Sequence, residues 1–283
     1  MTSGESIVVS GLFIYPVKSL RGIAVDAVSL TGGRLAGDRE YLVVNRDGYF
    51  MDQRRYPSMA RVEAIIAPDG LRLRSSGFPD LDVRPPATGC SASSVTHVPL
   101  FRRSAPVTGT SAEADRWLSD VLKVSCRLMA FVPSASALNV PSYEVHSSLH
   151  DATPFHLTSE ESLADLNARA RTSIPMDRFR PNVVVRGGTA YAEDSWKTVA
   201  VGDTVLRWVK PCTRCVTTTT DQLTGERESR EPLATLSIYR RMKSSVVFGN
   251  YLMAERWGAE MRVGDRLRIV ETQHQPFSAA VAQ

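Results

Sequence analysis

Residues 209–225 read "VKPCTRCVTTTTDQLTG", and the fold turns on how this stretch is read. Two of the chain's four cysteines, Cys212 and Cys215, stand two residues apart, behind a strand-like run and ahead of four threonines. A structural zinc site asks for four nitrogen or sulfur ligands, as two such pairs or as one pair with two histidines at set spacing. The pair here is single, and the best-spaced histidines, His146 and His150, lie well upstream. A thioredoxin-type dithiol wants its first cysteine at a helix N-terminus, where the dipole lowers the thiol pKa. "CVTTTT" is a poor helix former, because β-branched side chains lose χ1 freedom in a helix, and it reads as a strand. Inert core thiols are a third reading. The fourth is a lone thiolate offered to a soft or high-valent metal at the rim of a β-barrel, with Arg214 helping to keep it deprotonated.

The flanking sequence is mainly β. "SIVVSGLFIYPV", "VDAVSLT", "YLVVN", "VEAIIA" and "LRLRS" are β-branched or alternating, with turns at Asp47-Gly48 and Asp69-Gly70. Beyond Arg178, "NVVVRG", "KTVAVGDTVLRWVK" and "RLRIVE" continue the pattern, and the two "VGD" triplets at 201–203 and 263–265 predict tight turns with Gly at positive φ. Helices are predicted over "SAEADRWLSDVLK", capped by Ser111, and over "TSEESLADLNARA", capped at Thr158 or Ser159 with Glu160 and Glu161 on its positive end. A third is predicted over "EPLATLSIYRRM", with proline near its start. The aperiodic stretch 131–154 predicts an exposed loop. The fold class is therefore α+β, mainly β.

Composition bounds the partners. The chain has 283 residues, 43% of them hydrophobic, enough for one large domain or two modest ones. Its net charge of +4 is spread along the chain, and its basic clusters are too short for a nucleic-acid arm, so no nucleic-acid partner is expected. The N-terminus lacks a basic leader pattern, and no run approaches the roughly 20 apolar residues of a membrane span. With few, irregular cysteines, the expectation is a cytoplasmic protein with reduced thiols and no membrane partner.

Five stretches in fixed order resemble the MOSC superfamily: "IYPVKSLRG", "GDREYLVVN", "FRPNVVV", "VGDTVLRWVKPCTRCVTTTTDQLTGE" and "PLATLSIYRR…FGNYL". They span about residues 7 to 272 and are similar in particular to the mitochondrial amidoxime-reducing components and bacterial YcbX-type proteins. The resemblance implies a MOSC N-terminal β-barrel-like domain over 1–125, packed on a MOSC β-barrel over 126–272 that carries a molybdenum-cofactor site, with a few helices and a disordered tail at 273–283. A Pro-x-x-x-Cys pattern of simpler members overlays Pro211 to Cys215 and makes Cys215 the molybdenum ligand; alignment on "PC" would favour Cys212.

By the same resemblance, Lys18, Ser19 and Arg39 contact the pterin phosphate, Arg180 and Asn182 read the pterin ring and phosphate, and Thr158 and Ser159 offer hydroxyl and backbone donors. These residue types suit the task, since Arg and Lys make charge-assisted hydrogen bonds to phosphate. Asp194 stands behind them. The implied activity is molybdopterin-dependent reduction of small N-hydroxylated or N-oxygenated compounds, with Cys215 as the catalytic metal ligand. YcbX-type relatives carry a C-terminal iron–sulfur domain whose cysteine pattern does not occur here, so the expectation is no iron–sulfur cluster in this chain. Electrons would come from a separate ferredoxin-, flavin- or cytochrome-type protein. The alternative is a sulfur or molybdenum-cofactor carrier working with a pyridoxal-phosphate cysteine desulfurase.

Overall fold

A computed structural model describes residues 6–86, 94–101, 103–133 and 149–274. The run "YLVVN" forms the strand Tyr41–Asn45, whose first four residues are buried. It pairs with Cys126–Phe131, then Arg103–Gly109, then Thr96–Leu100, in a four-stranded antiparallel sheet. The expected turn at Asp69-Gly70 joins Glu63–Ala67 to Gly70–Arg74, and Leu81–Val83 adds a third strand. Helix α1 (Ala112–Leu122) begins where predicted: Ser111 Oγ accepts from Ala114 N at 3.1 Å, satisfying one orphan amide. Its buried Trp117, Leu118 and Leu122 share a core with Val43, Met59, Leu71 and Leu128.

The second unit is a nine-stranded mixed sheet. Leu267–Thr272, Trp196–Val201, Thr204–Arg214, Ser245–Arg256, Phe155–Ser159, Val183–Arg186, Val8–Ile14 and Ile23–Val25 are neighbours in that order, with Arg241–Met242 joined to Ser245–Arg256. Phe155–Ser159 and Val183–Arg186 run parallel, and α2 (Glu160–Arg169) makes the crossover between them. The ends of the sheet meet. Val9 N donates to Asp265 O and Leu267 N to Ile7 O, each at 2.8 Å, so the first strand closes the sheet into a barrel. Both "VGD" turns form, with Gly202 at φ 54° and Gly264 at φ 94°. The barrel core joins Leu12, Val28 and Leu35 from the start of the chain to Phe155, Val199 and Leu252 from its later half. The third helix, α3 (Leu233–Tyr239), is shorter than its sequence pattern, ending where Arg240 turns inward to Asp194.

Two expectations change. "CVTTTT" is no strand: the strand ends at Arg214 and Val216–Thr219 form a 3₁₀ turn with Cys215 at its head. Thr218 Oγ1 and Thr219 Oγ1 donate back to the carbonyls of Cys215 and Val216, at 2.9 and 2.8 Å. Such local hydroxyl bonds compete with the sheet ladder. The supposed exposed loop 131–154 lies outside the described residues over 134–148. At its end, Leu149 and His150 are buried at 0% and 2% exposure, because both serve the cleft described next. The expected tail beyond residue 274 also lies outside the described residues. Among the described residues no helix is long and apolar enough to cross a membrane.

Candidate active site

Where the two units meet, the chain between Tyr15 and Leu20 passes from the barrel to the N-terminal sheet, and Gln53 and Gln222 lock the junction. Their carboxamides exchange hydrogen bonds of 3.1 and 3.0 Å, and Gln53 Nε2 also reaches Ser19 O at 3.0 Å. The cleft beside this junction is lined by Lys18, Ser19, Arg39, Arg180, Asn182 and Cys215, six of the eight residues singled out from the sequence. Ser19, Arg39 and Arg180 all have left-handed backbone, at φ 69°, 52° and 54°. Non-glycine residues in that conformation carry strain that persists where the surroundings demand it.

Asp38 organises the floor. Fully buried, it accepts from Tyr15 N at 2.7 Å, Arg39 Nη1 at 2.5 Å, Asn182 Nδ2 at 3.1 Å and His150 Nε2 at 2.8 Å. Burial alone would raise its pKa, but Arg39 and His150 outweigh it and hold the carboxyl at about 2. Burial lowers His150 to about 4, so at neutral pH it is a neutral ring donating to Asp38. Asn182 Oδ1 accepts from Arg39 Nη1 at 3.1 Å, fixing the carboxamide between a cation and an anion.

The guanidinium carbons of Arg39 and Arg180 lie 4.4 and 4.3 Å from the Tyr15 ring centroid. Burial lowers Arg180 to about 10, which still leaves it cationic. Lys18 is buried, donates to Leu149 O at 2.9 Å and pairs with Asp151. Burial lowers its pKa, and Asp151 opposes that shift. Five cations thus line one cleft: Lys18, Arg39, Arg54, Arg180 and Arg214.

The two cysteines part company. Cys215 is exposed and lines the cleft, whereas Cys212 is buried behind its wall, against Arg214. Burial raises the Cys212 thiol pKa, against the pull of Arg214, whose Nη1 lies 2.6 Å from its sulfur. Arg214 Nη2 donates to Phe179 O at 2.7 Å, while its Nε is buried without a partner. His156 packs beside it, and burial followed by the Arg214 charge lowers that ring to about 3. Gly249 permits this crowding: at φ 71°, a Cβ there would sit 2.7 Å from His156 Nε2.

Thr158 and Ser159 are not brought to the cleft. Thr158 is wholly buried with its hydroxyl on Met176 Sδ, and Ser159 caps α2, accepting from Ser162 N at 3.1 Å and donating to Glu193 Oε2 at 3.2 Å. Asp194 is also remote, buried in an ion pair with Arg240 at 2.7 Å. Arg214, expected from the sequence beside the thiolate, lines the cleft, whereas sequence reasoning missed Asp38, His150, Asp151, Thr153 and Thr213, all of which line or underlie it. For His150 and Asp151, polar side chains in a stretch read as a loop gave no signal.

The donor set suits an anionic, metal-bearing cofactor. Cys215 offers one thiol at an open position, Lys18, Arg39 and Arg180 offer charge, and Arg214 Nε is a buried donor awaiting an acceptor.

Comparison with known proteins agrees with the fold. Residues 6–125 match the MOSC N-terminal beta barrel domain and residues 144–268 the MOSC domain. The chain is 36% identical over 281 residues to mitochondrial amidoxime-reducing component 1 of Mus musculus, covering 91% of this chain and 80% of that protein. It is 34% identical over 278 residues to mitochondrial amidoxime reducing component 2 of Bos taurus, covering 91% and 81%. It is 30% identical over 275 residues to molybdenum cofactor sulfurase of Oryza sativa subsp. japonica, covering 89% of this chain and 33% of that protein. A barrel completed by its own first strand, an open thiol at its rim and near full-length similarity lead to one conclusion: the chain belongs to the MOSC-domain proteins with a MOSC N-terminal barrel, the family of the mitochondrial amidoxime-reducing components.

Proposed function

We propose that the chain is a molybdenum-cofactor-dependent reductase of N-hydroxylated compounds such as amidoximes and hydroxylamines. The observation that carries this reading is an exposed thiol, Cys215, sharing a cleft with buried or half-buried Lys18, Arg39, Arg180 and Arg214. The similarity to proteins named amidoxime-reducing components supports the substrate class.

Converting an N–OH group to N–H and water takes two electrons and two protons. When bound, the molybdenum cofactor supplies a two-electron redox couple at an oxygen-accepting metal. Cys215 thiolate holds the metal. Lys18, Ser19, Arg39 and Arg180 hold the phosphate-bearing end, with charge-assisted hydrogen bonds that keep the pterin from turning. Asn182, its carboxamide engaged by Arg39, His156 N, Phe13 O and Asp38, would steady the Arg39 guanidinium behind the cofactor. Arg214, held by Phe179 O and by Cys212 Sγ, keeps a cation on the wall of the same cleft and a buried Nε with no partner in the protein. Thr158 and Ser159 stay outside this set. His150, neutral and held by Asp38, is no proton source at neutral pH; solvent water supplies the protons. A separate redox protein supplies the electrons.

The test is protein purified from a host that makes the cofactor. Stoichiometric molybdenum and pterin, with reduction of an amidoxime by a chemical electron donor, is the expected result; protein free of molybdenum overturns the reading. The similarity to molybdenum cofactor sulfurase favours a second reading, a cofactor or sulfur carrier. A carrier would lose cofactor on dilution and reduce nothing.

A further inference from the structure

Phe101 is the odd residue of the cleft wall. It lies in the two-residue connection between strands Thr96–Leu100 and Arg103–Gly109, which the Leu100↔Arg103 pairing closes. Its backbone is left-handed, at φ 54°. Hairpin connections of this length favour Asn, Asp or Gly, which accept positive φ, and a bulky residue there is an outlier. The ring is also 54% exposed, so the fold gains little from burying it. Among the described residues, seven non-glycine residues have positive φ, and Ser19, Arg39, Phe101 and Arg180 line this one cleft. Strained backbone of this kind clusters where function requires it.

The ring is nonetheless held in place. Phe50 meets it edge-on, with centroids 5.4 Å apart and planes at 63°. The Arg54 guanidinium carbon is 5.1 Å and Lys18 Nζ 5.7 Å from its centroid. Arg54 is held by Asp52 at 2.9 Å and lines the same cleft as Phe101 and Cys215. Flat aromatic groups gain from stacking on such a ring beyond the area they bury, and a cation on the ring polarises it toward an electron-rich partner.

We propose that Phe101, backed by Phe50, is the specificity wall of the substrate site, selecting compounds whose N–O group is attached to a flat aromatic or heteroaromatic ring over their alkyl counterparts. The proposal rests on the reductase reading given above. Recognition then comes from the N-terminal sheet and chemistry from the barrel, and the substrate spans the junction between them.

Benzamidoxime and acetamidoxime, alike in the reacting group and different in the ring, are the probes. The variant is Phe101→Asn, which suits the left-handed turn at least as well as phenylalanine and so folds, with Phe101→Tyr as the conservative control. With the molybdenum-loaded protein and a chemical electron donor, Phe101→Asn is expected to lower kcat/KM for benzamidoxime about tenfold and for acetamidoxime no more than about twofold. Phe101→Tyr should restore the preference, and molybdenum content should match the unsubstituted protein. Equal losses for both substrates, or loss of molybdenum on substitution, overturn the proposal. Calorimetric binding of the two amidoximes to the oxidised loaded protein, without donor, reads the same preference independently of turnover. If the unsubstituted protein turns over neither compound yet binds benzamidoxime through Phe101, the reductase reading fails and the aromatic site stands.

Discussion

Replacing Glu193 by glutamine isolates a buried charge whose ionisation the fold opposes. Glu193 is 2% exposed, accepts from Ser162 Oγ at 2.7 Å and Ser159 Oγ at 3.2 Å, and adjoins Asp194. Burial first, then the Asp194 charge, raises its pKa from 4.5 to about 7. Each pKa unit corresponds to roughly 1.4 kcal/mol, so the shift is worth on the order of 3 kcal/mol. Because the native pKa is the raised one, the folded state binds the proton more tightly than the unfolded chain. The contribution is complete below pH 4.5, declines as pH rises and is gone once pH passes about 7. The glutamine variant carries no such charge, and its carboxamide accepts from one serine and donates to the other. At pH 8 it should therefore be more stable than the unsubstituted protein by about 2–3 kcal/mol, and near pH 5 the two should nearly coincide. Urea unfolding of both proteins across pH 5 to 8.5 measures the difference. A difference that does not change with pH would refute the assigned ionisation of Glu193.

Three further outcomes follow from the cleft. Cys215→Ser should abolish molybdenum retention while Cys212→Ser keeps most of it, since only the first thiol is exposed to the cleft; metal analysis showing the reverse would move the ligand to Cys212. Arg180→Ala should lower pterin content without unfolding the protein, because alanine at φ 54° is no more strained than arginine and the hydrogen bond lost, 3.2 Å to Gln222, is a long one. Asp38→Ala should destabilise by about 3–5 kcal/mol in urea unfolding, because it leaves the buried Arg39 cation without its carboxylate and Tyr15 N without an acceptor.

Local chemistry was legible in the sequence wherever one short stretch contains its own solution. Ser111 and Ser159 announce helix starts because a hydroxyl can reach an amide three residues on, and both do so. Asp69-Gly70 and the two "VGD" triplets announce turns because glycine alone accepts their backbone at no cost. Thr158 and Ser159 show the limit of this kind of reading. Their residue types suit an anion, but α2 and Glu193 use the hydroxyl of Ser159 before any ligand can. The threonine run misled for a related reason, since β propensity reports fit to a pleated surface, and past Arg214 the pairing gives way to a turn closed by the threonines' own hydroxyls.

What the sequence concealed is long-range closure. Asp38 needs four donors, and they come from residues 15, 39, 150 and 182, a set that no periodicity connects. A buried carboxylate cannot stay charged without such partners, so whatever stretch supplied His150 had to be drawn out of solvent, whatever its local composition. The same constraint explains why the cleft sits at the junction of the two units. Residues 7 to 9 must reach 264 to 267 to close the barrel, which carries the following residues Tyr15, Lys18 and Ser19 across the barrel's rim beside the turn that holds Cys215. Closing the sheet and assembling the site are therefore one event, and a substitution that weakens the first strand should cost cofactor binding before it costs the N-terminal core.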